Sequence, residues 1–408
     1  MHIRQNGVVS QIKGFFRLIL SYLNKPFRVF PFRVSRNRFL LERQSVKRKR
    51  SKIIISNYDD LRNPWYAGGG AIAIHEVAKR LAEVYSVEVF VGLYPSARKE
   101  EFIDGVHYRR IGTRLFGPRL GQLAYWIKLP FYAVSLDFDV WIDSFTPPFG
   151  VSVLPLILSG PVVGLIHMLP GMDMWRKYRL PFFLFERIGL SWYSRFIVLT
   201  DVMRSKIRKC NEDASIWVIP NGVDIPDLSS DYKKEHLLFI GRIEMNQKGL
   251  DLLLDAYASA YEDIGRPLVI AGSGLDHDIT ALKNHIKTLP CSDKIEFKGR
   301  VIGEEKSILF EKAFSVIIPS RFETFSIVAL EALSYGIPAV AFNIPGLSTF
   351  SPDYVFRATP FSAESLAREM LRSVSVERLP EYYRQEARKF DWNTRVATYR
   401  SVIEDCLR

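Results

Sequence analysis

Residues 314 to 346 read FSVIIPSRFETFSIVALEALSYGIPAVAFNIPG, and this run leaves few folds open. A short β-type apolar stretch, Phe314 to Pro319, leads into a polar loop, Ser320 to Phe325, and then a helical pattern over about Ser326 to Tyr335. Gly336 stands where a helix ends in the left-handed region, and Pro338 forbids continuation. Pro338 to Phe342 reads as a second buried strand. Strand, loop, helix and strand make the repeating unit of a parallel α/β sheet.

The loop and helix carry the chemistry. A helix beginning at Thr324 to Ser326 offers free backbone N–H groups and the positive end of its dipole, a site suited to phosphate. Glu323 lies in the loop and Glu331 well inside the helix, several Å along the axis at about 1.5 Å per residue. One carboxylate can then hold hydroxyls on one side of a diphosphate and the second on the other. Spacing alone leaves open a solvated loop glutamate and an ordinary helix-surface glutamate.

The wider segment resembles the retaining glycosyltransferases of family 4, which have the GT-B fold. Their hallmark is E-x7-E within E-G-F-G-x-x-x-x-E-A-x-x-x-G-x-P-V. Here the matching residues are Glu323, Phe325, Glu331, Ala332, Gly336 and Pro338, while Thr324 and Ser326 replace two family glycines. That replacement constrains how closely the loop backbone approaches a donor. The resemblance continues upstream in G-R-x5-K-G, which supplies Arg242 and Lys248 as a pair for one diphosphate, and in the hinge motif I-P-N-G-V-D, residues 219–224. An Arg fork and a Lys point charge would neutralise a departing nucleotide.

The resemblance covers roughly residues 52 to 408. It implies an α/β chain with two Rossmann-like domains whose parallel sheets face an interdomain cleft. It also implies transfer of a hexose from a UDP-sugar or GDP-sugar to an acceptor hydroxyl with retained configuration. Catalytic roles fall to Glu323, Arg242, Lys248 and His167, with Glu323 on the sugar and Glu331 on the ribose. Donor contacts extend to Gly69, Gly70, Thr324, Phe325, Ser326, Arg300 and Val301. No metal is expected, since the positive groups would replace it and no Asp-x-Asp signature lies in a matching loop. Two other classes stay open: a non-catalytic membrane-bound scaffold with a GT-B body, and a sugar-nucleotide epimerase.

Taken in order, the folded body opens with the strand pattern Lys52 to Ser56. Gly68-Gly69-Gly70 and a helix over Ala71 to Tyr85 follow, and strand character resumes over Ser86 to Leu93. Strand, glycine loop and helix suit a phosphate site, although this is not a GxGxxG fingerprint. Residues 114–134 are aromatic and basic, fitting either core filling or an acceptor surface. Val140 to Asp143, Val162 to His167 and Phe196 to Thr200 read as strands, with His167 at the edge where α/β ligand sites form. After the polar run 226–235, strands at Leu237 to Gly241, Leu268 to Gly274 and Lys294 to Val301 build a second domain. The expected units are 1–50, 51–225, 226–390 and a returning helix, 391–408.

Charge is unevenly placed. Residues 1–50 hold 13 of the 56 Lys and Arg residues and one of the 44 acids, so the other 358 residues carry 43 of each sign. The body therefore has no excess to attract nucleic acid. Within the basic extension, Ile12, Phe15, Phe16, Ile19, Tyr22 and Leu23 follow a helical rhythm with Lys13, Arg17 and Lys25 between them. The apolar run is far short of the ~20 residues of a membrane span. It fits a helix lying on an anionic membrane surface, a disordered tail, or a helix packed on the protein itself. Three scattered cysteines, Cys210, Cys291 and Cys406, suggest neither a disulfide framework nor a zinc site. The expectation is a cytoplasmic enzyme, peripheral on the inner face of the membrane and serving glycan, glycolipid or surface polysaccharide synthesis.

Overall fold

A computed structural model describes residues 50–63, 68–114, 117–147, 150–228, 233–376 and 379–408. The amphipathic helix expected within residues 1–50 lies outside the described residues. The strands are β1 (Lys52–Ser56), β2 (Ser86–Gly92), β3 (Glu100–Ile103), β4 (Val106–Ile111), β5 (Val140–Ser144), β6 (Val162–Ile166), β7 (Arg195–Val198) and β8 (Ser215–Val218), then β9 (His236–Ile240), β10 (Leu268–Ala271), β11 (Ile295–Gly299), β12 (Ala313–Ile318), β13 (Ala339–Phe342) and β14 (Val355–Ala358). The helices are α1 (Gly69–Leu81), α2 (Gly117–Ala133), α3 (Leu154–Ile157), α4 (Gly171–Tyr178), α5 (Phe182–Leu190), α6 (Asp201–Arg208), α7 (Leu250–Ile264), α8 (Asp276–Thr288), α9 (Gly303–Lys312), α10 (Ile327–Ser334), α11 (Ala363–Ser375), α12 (Pro380–Arg388) and α13 (Trp392–Leu407).

Two sheets result. The first runs β3-β4-β2-β1-β5-β6-β7-β8, parallel except for the β3–β4 hairpin at its edge. The second runs β11-β10-β9-β12-β13-β14 and is parallel throughout. In each, the chain builds outward in one direction and then in the other. The reversals fall between β1 and β5 and between β9 and β12. Loops leaving the C-terminal ends of such neighbouring strands part to opposite faces and open a crevice, where α/β proteins bind ligands.

Strand alternation sorts the core of the first sheet. Ile53 and Ile55 face α1 and α13, while Ile54 faces the side covered by α2, α3 and α5. Both faces are apolar because both are covered. The second sheet buries a single large cluster that includes Leu238, Ile270, Val316, Leu330 and Val340.

Two segments join the halves side by side. Residues 219–224 form the outward crossing. Val223 N–H donates to the Phe390 carbonyl at 2.9 Å, and Val223 bridges Asp391 in parallel. A Cβ at Gly222 would stand 2.5 Å from the Trp392 ring, so glycine permits the contact. Asp391 caps α13 by accepting from the Asn393 and Thr394 N–H groups. That helix buries Trp392, Val396, Tyr399, Val402 and Ile403 in the first domain's core.

One expectation needs correction. The first helix begins at Gly69 and ends at Leu81, not Ala71 to Tyr85. Gly69 and Gly70 therefore sit in a first helical turn whose position a carboxylate fixes: Asp59 Oδ2 accepts from the Gly68 N–H at 2.7 Å. The aromatic stretch 114–134 contributes a helix, α2, despite Pro130 inside it.

Candidate active site

The loops after β9 and β12, at the reversal of the second sheet, lie backbone against backbone. Gly249 adopts φ +66°, and a Cβ there would stand 1.9 Å from the Pro319 carbonyl oxygen. On the loop after β13, a Cβ at Gly346 would meet the Glu323 carbonyl at 2.0 Å. No other residue fits either place without moving backbone. Arg321 locks the pair: its N–H donates to the Gln247 carbonyl at 2.9 Å and its guanidinium forks onto Asp251 at 2.8 and 2.6 Å.

Held in this way, Lys248 Nζ donates to Glu323 Oε1 at 2.6 Å, and Ser320 Oγ donates to the same oxygen at 2.8 Å. Arg242, from the same loop as Lys248, is half exposed and rests on Glu244 (2.8 Å) and Gln247 (3.2 Å). Ser326 is the N-cap of α10 and accepts from the Ala329 N–H at 3.2 Å. The N–H groups of Ile327 and Val328 belong to that helix's first turn, which has no acceptor within the helix. Glu331, in the body of α10, is paired with Lys306 Nζ of α9 at 2.5 Å.

The first domain meets this end of α10 directly. A Cβ at Gly69 would lie 2.9 Å from Ile327 Cδ1, and one at Gly70 would lie 4.0 Å from the His167 ring. Two helix N-termini, of α1 and α10, thus face one space, with His167 beside them. His167 follows β6 directly; its Nε2 is sealed from solvent without a partner. Burial pushes its imidazole down to about 4.

Other expected residues fall differently. Phe325 is buried against Phe350 and Phe390, with ring centroids 5.5 and 6.2 Å away, so its side chain serves packing and ties the glutamate loop to the hinge. Val301 is also a core residue, leaving only backbone to face a ligand, while Arg300 is exposed. Thr324 is half-buried within the loop. Spacing did not single out Lys306, Asp59 or Arg321, because each acts across 9 to 75 residues of chain on a partner chosen by tertiary packing. Among the described residues, no group of His, Cys, Asp and Glu is arranged to hold a metal ion, and no helix is long and apolar enough to cross a membrane.

Two family models match the chain: Glycosyltransferase Family 4 over residues 67–226 and Glycosyl transferases group 1 over residues 223–390. Mannosylfructose-phosphate synthase of Agrobacterium fabrum is 31% identical over 153 residues, which cover 35% of this chain and 33% of that protein. Matches to this and two other curated relatives span only 28 to 36% of those proteins' lengths. The solved sucrose-phosphate synthase of Thermosynechococcus elongatus superposes with a TM-score of 0.73 at 18% identity, covering 87% of this chain and 99% of its own. HepE of Anabaena, solved in complex with UDP, gives 0.66 at 17% identity, covering 87% and 100%. At these identities the structural likeness establishes the two-domain GT-B fold.

The His167 imidazole has a clear consequence for pH. In the unfolded chain it protonates at its ordinary value of 6.5, and in the folded chain only near 4. Between these values the unfolded state binds more protons, so stability falls as pH drops through the window. In urea unfolding at pH 7, 5.5 and 4.5, wild type is expected to lose more stability on acidification than His167→Gln. Equal pH slopes would contradict this reading of the buried ring.

Proposed function

The chain belongs to the glycosyl transferases group 1 family, and from that premise we propose that it transfers a hexose from a nucleoside-diphosphate sugar to an acceptor hydroxyl with retained configuration. One observation carries the reading. Lys248, Glu323 and the capped start of α10, at the reversal of the second sheet, meet the α1 N-terminus at the reversal of the first, with His167 beside it at the end of β6. A diphosphate placed there meets two helix N-termini and Lys248, with Arg242 within the same loop. The UDP bound in the structural neighbour HepE makes a uridine diphosphate sugar the first donor to test, with guanosine diphosphate sugars beside it.

Each residue then has a part. Arg242, Lys248 and the α10 N-terminus stabilise charge on the leaving diphosphate as the bond between its oxygen and the anomeric carbon breaks. Glu323, already accepting from Lys248 and Ser320, holds sugar hydroxyls beside that cation. His167, neutral, contacts the sugar from the other domain, and the Gly69-Gly70 backbone closes on the diphosphate. Glu331 takes the ribose, and the 300–301 backbone takes the base. We assign no protein nucleophile. The acceptor oxygen attacks from the face the diphosphate leaves, and a departing phosphate oxygen takes its proton. The domains divide at 225/226, with 391–408 returning to the first. Nothing in the cleft favours the scaffold or epimerase reading over transfer.

We place the enzyme on a membrane surface, making a glycan, glycolipid or polysaccharide precursor. Residues 1–50 supply clustered cations. On α2, α3 and α5 and just beyond α2, Ile127, Phe131, Val134, Leu156, Leu184 and Ile188 stand 39 to 74% exposed, alongside Lys128 and Arg187. The one acid in those three helices, Glu186, is buried and accepts from the Gly171 N–H, and Asp137 and Asp139 stand exposed beyond the end of α2. An apolar, cationic face of this kind suits anionic lipid.

Replacing Lys248 with Ala is expected to lower nucleoside diphosphate release from the donor about 100-fold, the scale of one lost transition-state contact. Turnover within threefold of wild type would remove Lys248 from the mechanism. Deleting residues 1–50 should sharply reduce co-sedimentation with anionic vesicles while donor turnover persists. Unchanged co-sedimentation would deny the extension its membrane role.

A further inference from the structure

Helices α9 and α10 are fastened in one register by three contacts. Lys306 Nζ donates to Glu331 Oε1 at 2.5 Å, and Tyr335 Oη donates to Ser307 Oγ at 2.9 Å. The Phe310 ring stacks on Tyr335, with centroids 4.9 Å apart and planes 13° from parallel. Residues 306, 307 and 310 on one helix thus meet 331 and 335, a turn apart, on the other. The Lys306 ammonium also lies 5.7 Å from the Phe310 ring centroid. Lys306 is therefore held from both sides, by its own helix and by α10.

Glu331 sits about 7 Å down α10 from the N-terminus at which Glu323 and Lys248 gather. A glutamate on a helix flank samples several rotamers, and binding has to suppress that freedom. A carboxylate gripped at one oxygen by an anchored cation starts with its orientation set. Its second oxygen, and the remaining lone pair of the first, still accept. A vicinal diol offers two donors close enough together to meet both oxygens of one carboxylate.

We infer that Lys306 is a positioning residue that fixes Glu331 to accept from the ribose hydroxyls of the donor, so that the protein selects ribonucleotides over deoxyribonucleotides. This rests on the placement of Glu331 at the ribose given above. Lys306 does not touch the reacting atoms. Its effect is felt in donor affinity and sugar discrimination, with the rate of the bound complex little changed. The stacked Phe310–Tyr335 pair and the Ser307 bond keep α9 in place when the cation alone is removed.

The test is calorimetric affinity of the full chain for UDP, GDP and ADP and for their 2′-deoxy counterparts. The proteins compared are wild type, Lys306→Met, Lys306→Arg and Glu331→Gln. Wild type is expected to prefer the ribonucleotide at least about tenfold, the scale of one hydrogen bond to a charged group. The preference should shrink to within about threefold in Lys306→Met, as in Glu331→Gln, and recover largely in Lys306→Arg. A Lys306→Met protein that keeps the full preference overturns the inference, even if its melting temperature has dropped, because Lys306 would then serve only packing. Wild type that binds diphosphates without preferring ribose overturns the ribose assignment and this inference with it. Wild type that binds none of the six contradicts the donor-site reading itself, a failure distinct from the others.

Discussion

Everything at the cleft depends on how closely two backbones approach across the reversal between β9 and β12. Lys248 reaches Glu323 because Gly249 carries no Cβ where the Pro319 carbonyl oxygen passes, while Gly346, on the loop after β13, lets that segment pack against the Glu323 carbonyl. The Arg321–Asp251 fork and the Arg321–Gln247 bond hold the loops in that contact. β9 and β12 are neighbouring parallel strands, so the loops leaving their C-terminal ends start side by side. Chains leaving adjacent strands toward opposite faces must part at this edge, and the gap left behind is lined by backbone N–H groups and loop side chains.

The charged side chains of the cleft pair with one another. Lys248 rests on Glu323, Arg242 on Glu244 and Gln247, and Lys306 on Glu331. Arg242–Glu244 is the most exposed of these pairs, and an exposed ion pair contributes little to stability, whereas Lys248–Glu323 and Lys306–Glu331 are more enclosed. The hinge couples this site to the rest of the molecule through Phe325, which packs on Phe390, whose carbonyl accepts from Val223.

Much of this was legible in the amino-acid sequence. Gly336 has φ +72° at the end of α10, as its place before Pro338 demanded, and β1, β12, β13 and α13 fall within a residue or two of their expected bounds. These elements announce themselves through local chemistry: apolar runs, caps and stops. Contacts made by tertiary packing did not announce themselves. Lys306 lies 25 residues and one helix away from Glu331, and no period in the sequence links them. The start of α1 at Gly69 went against propensity, since glycine is a poor helix former. Asp59 fixes the chain just ahead of it through the Gly68 N–H, and no spacing rule finds that bond. Phe325 stands within the motif, yet it belongs to the core, because a motif position does not say whether side chain or backbone meets the ligand.

The central claim is that this cleft binds a nucleoside diphosphate. The most direct measurement is the melting temperature of the intact chain with UDP, GDP, ADP and CMP in turn. A diphosphate present at 100 times its Kd adds about 2.7 kcal/mol to the stability of the folded state, a readily visible shift. A clear rise is expected with at least one nucleoside diphosphate and little with the monophosphate, which lacks the second phosphate proposed to meet Lys248 and the α10 N-terminus. An unchanged melting temperature with all four, at millimolar concentration, would contradict it.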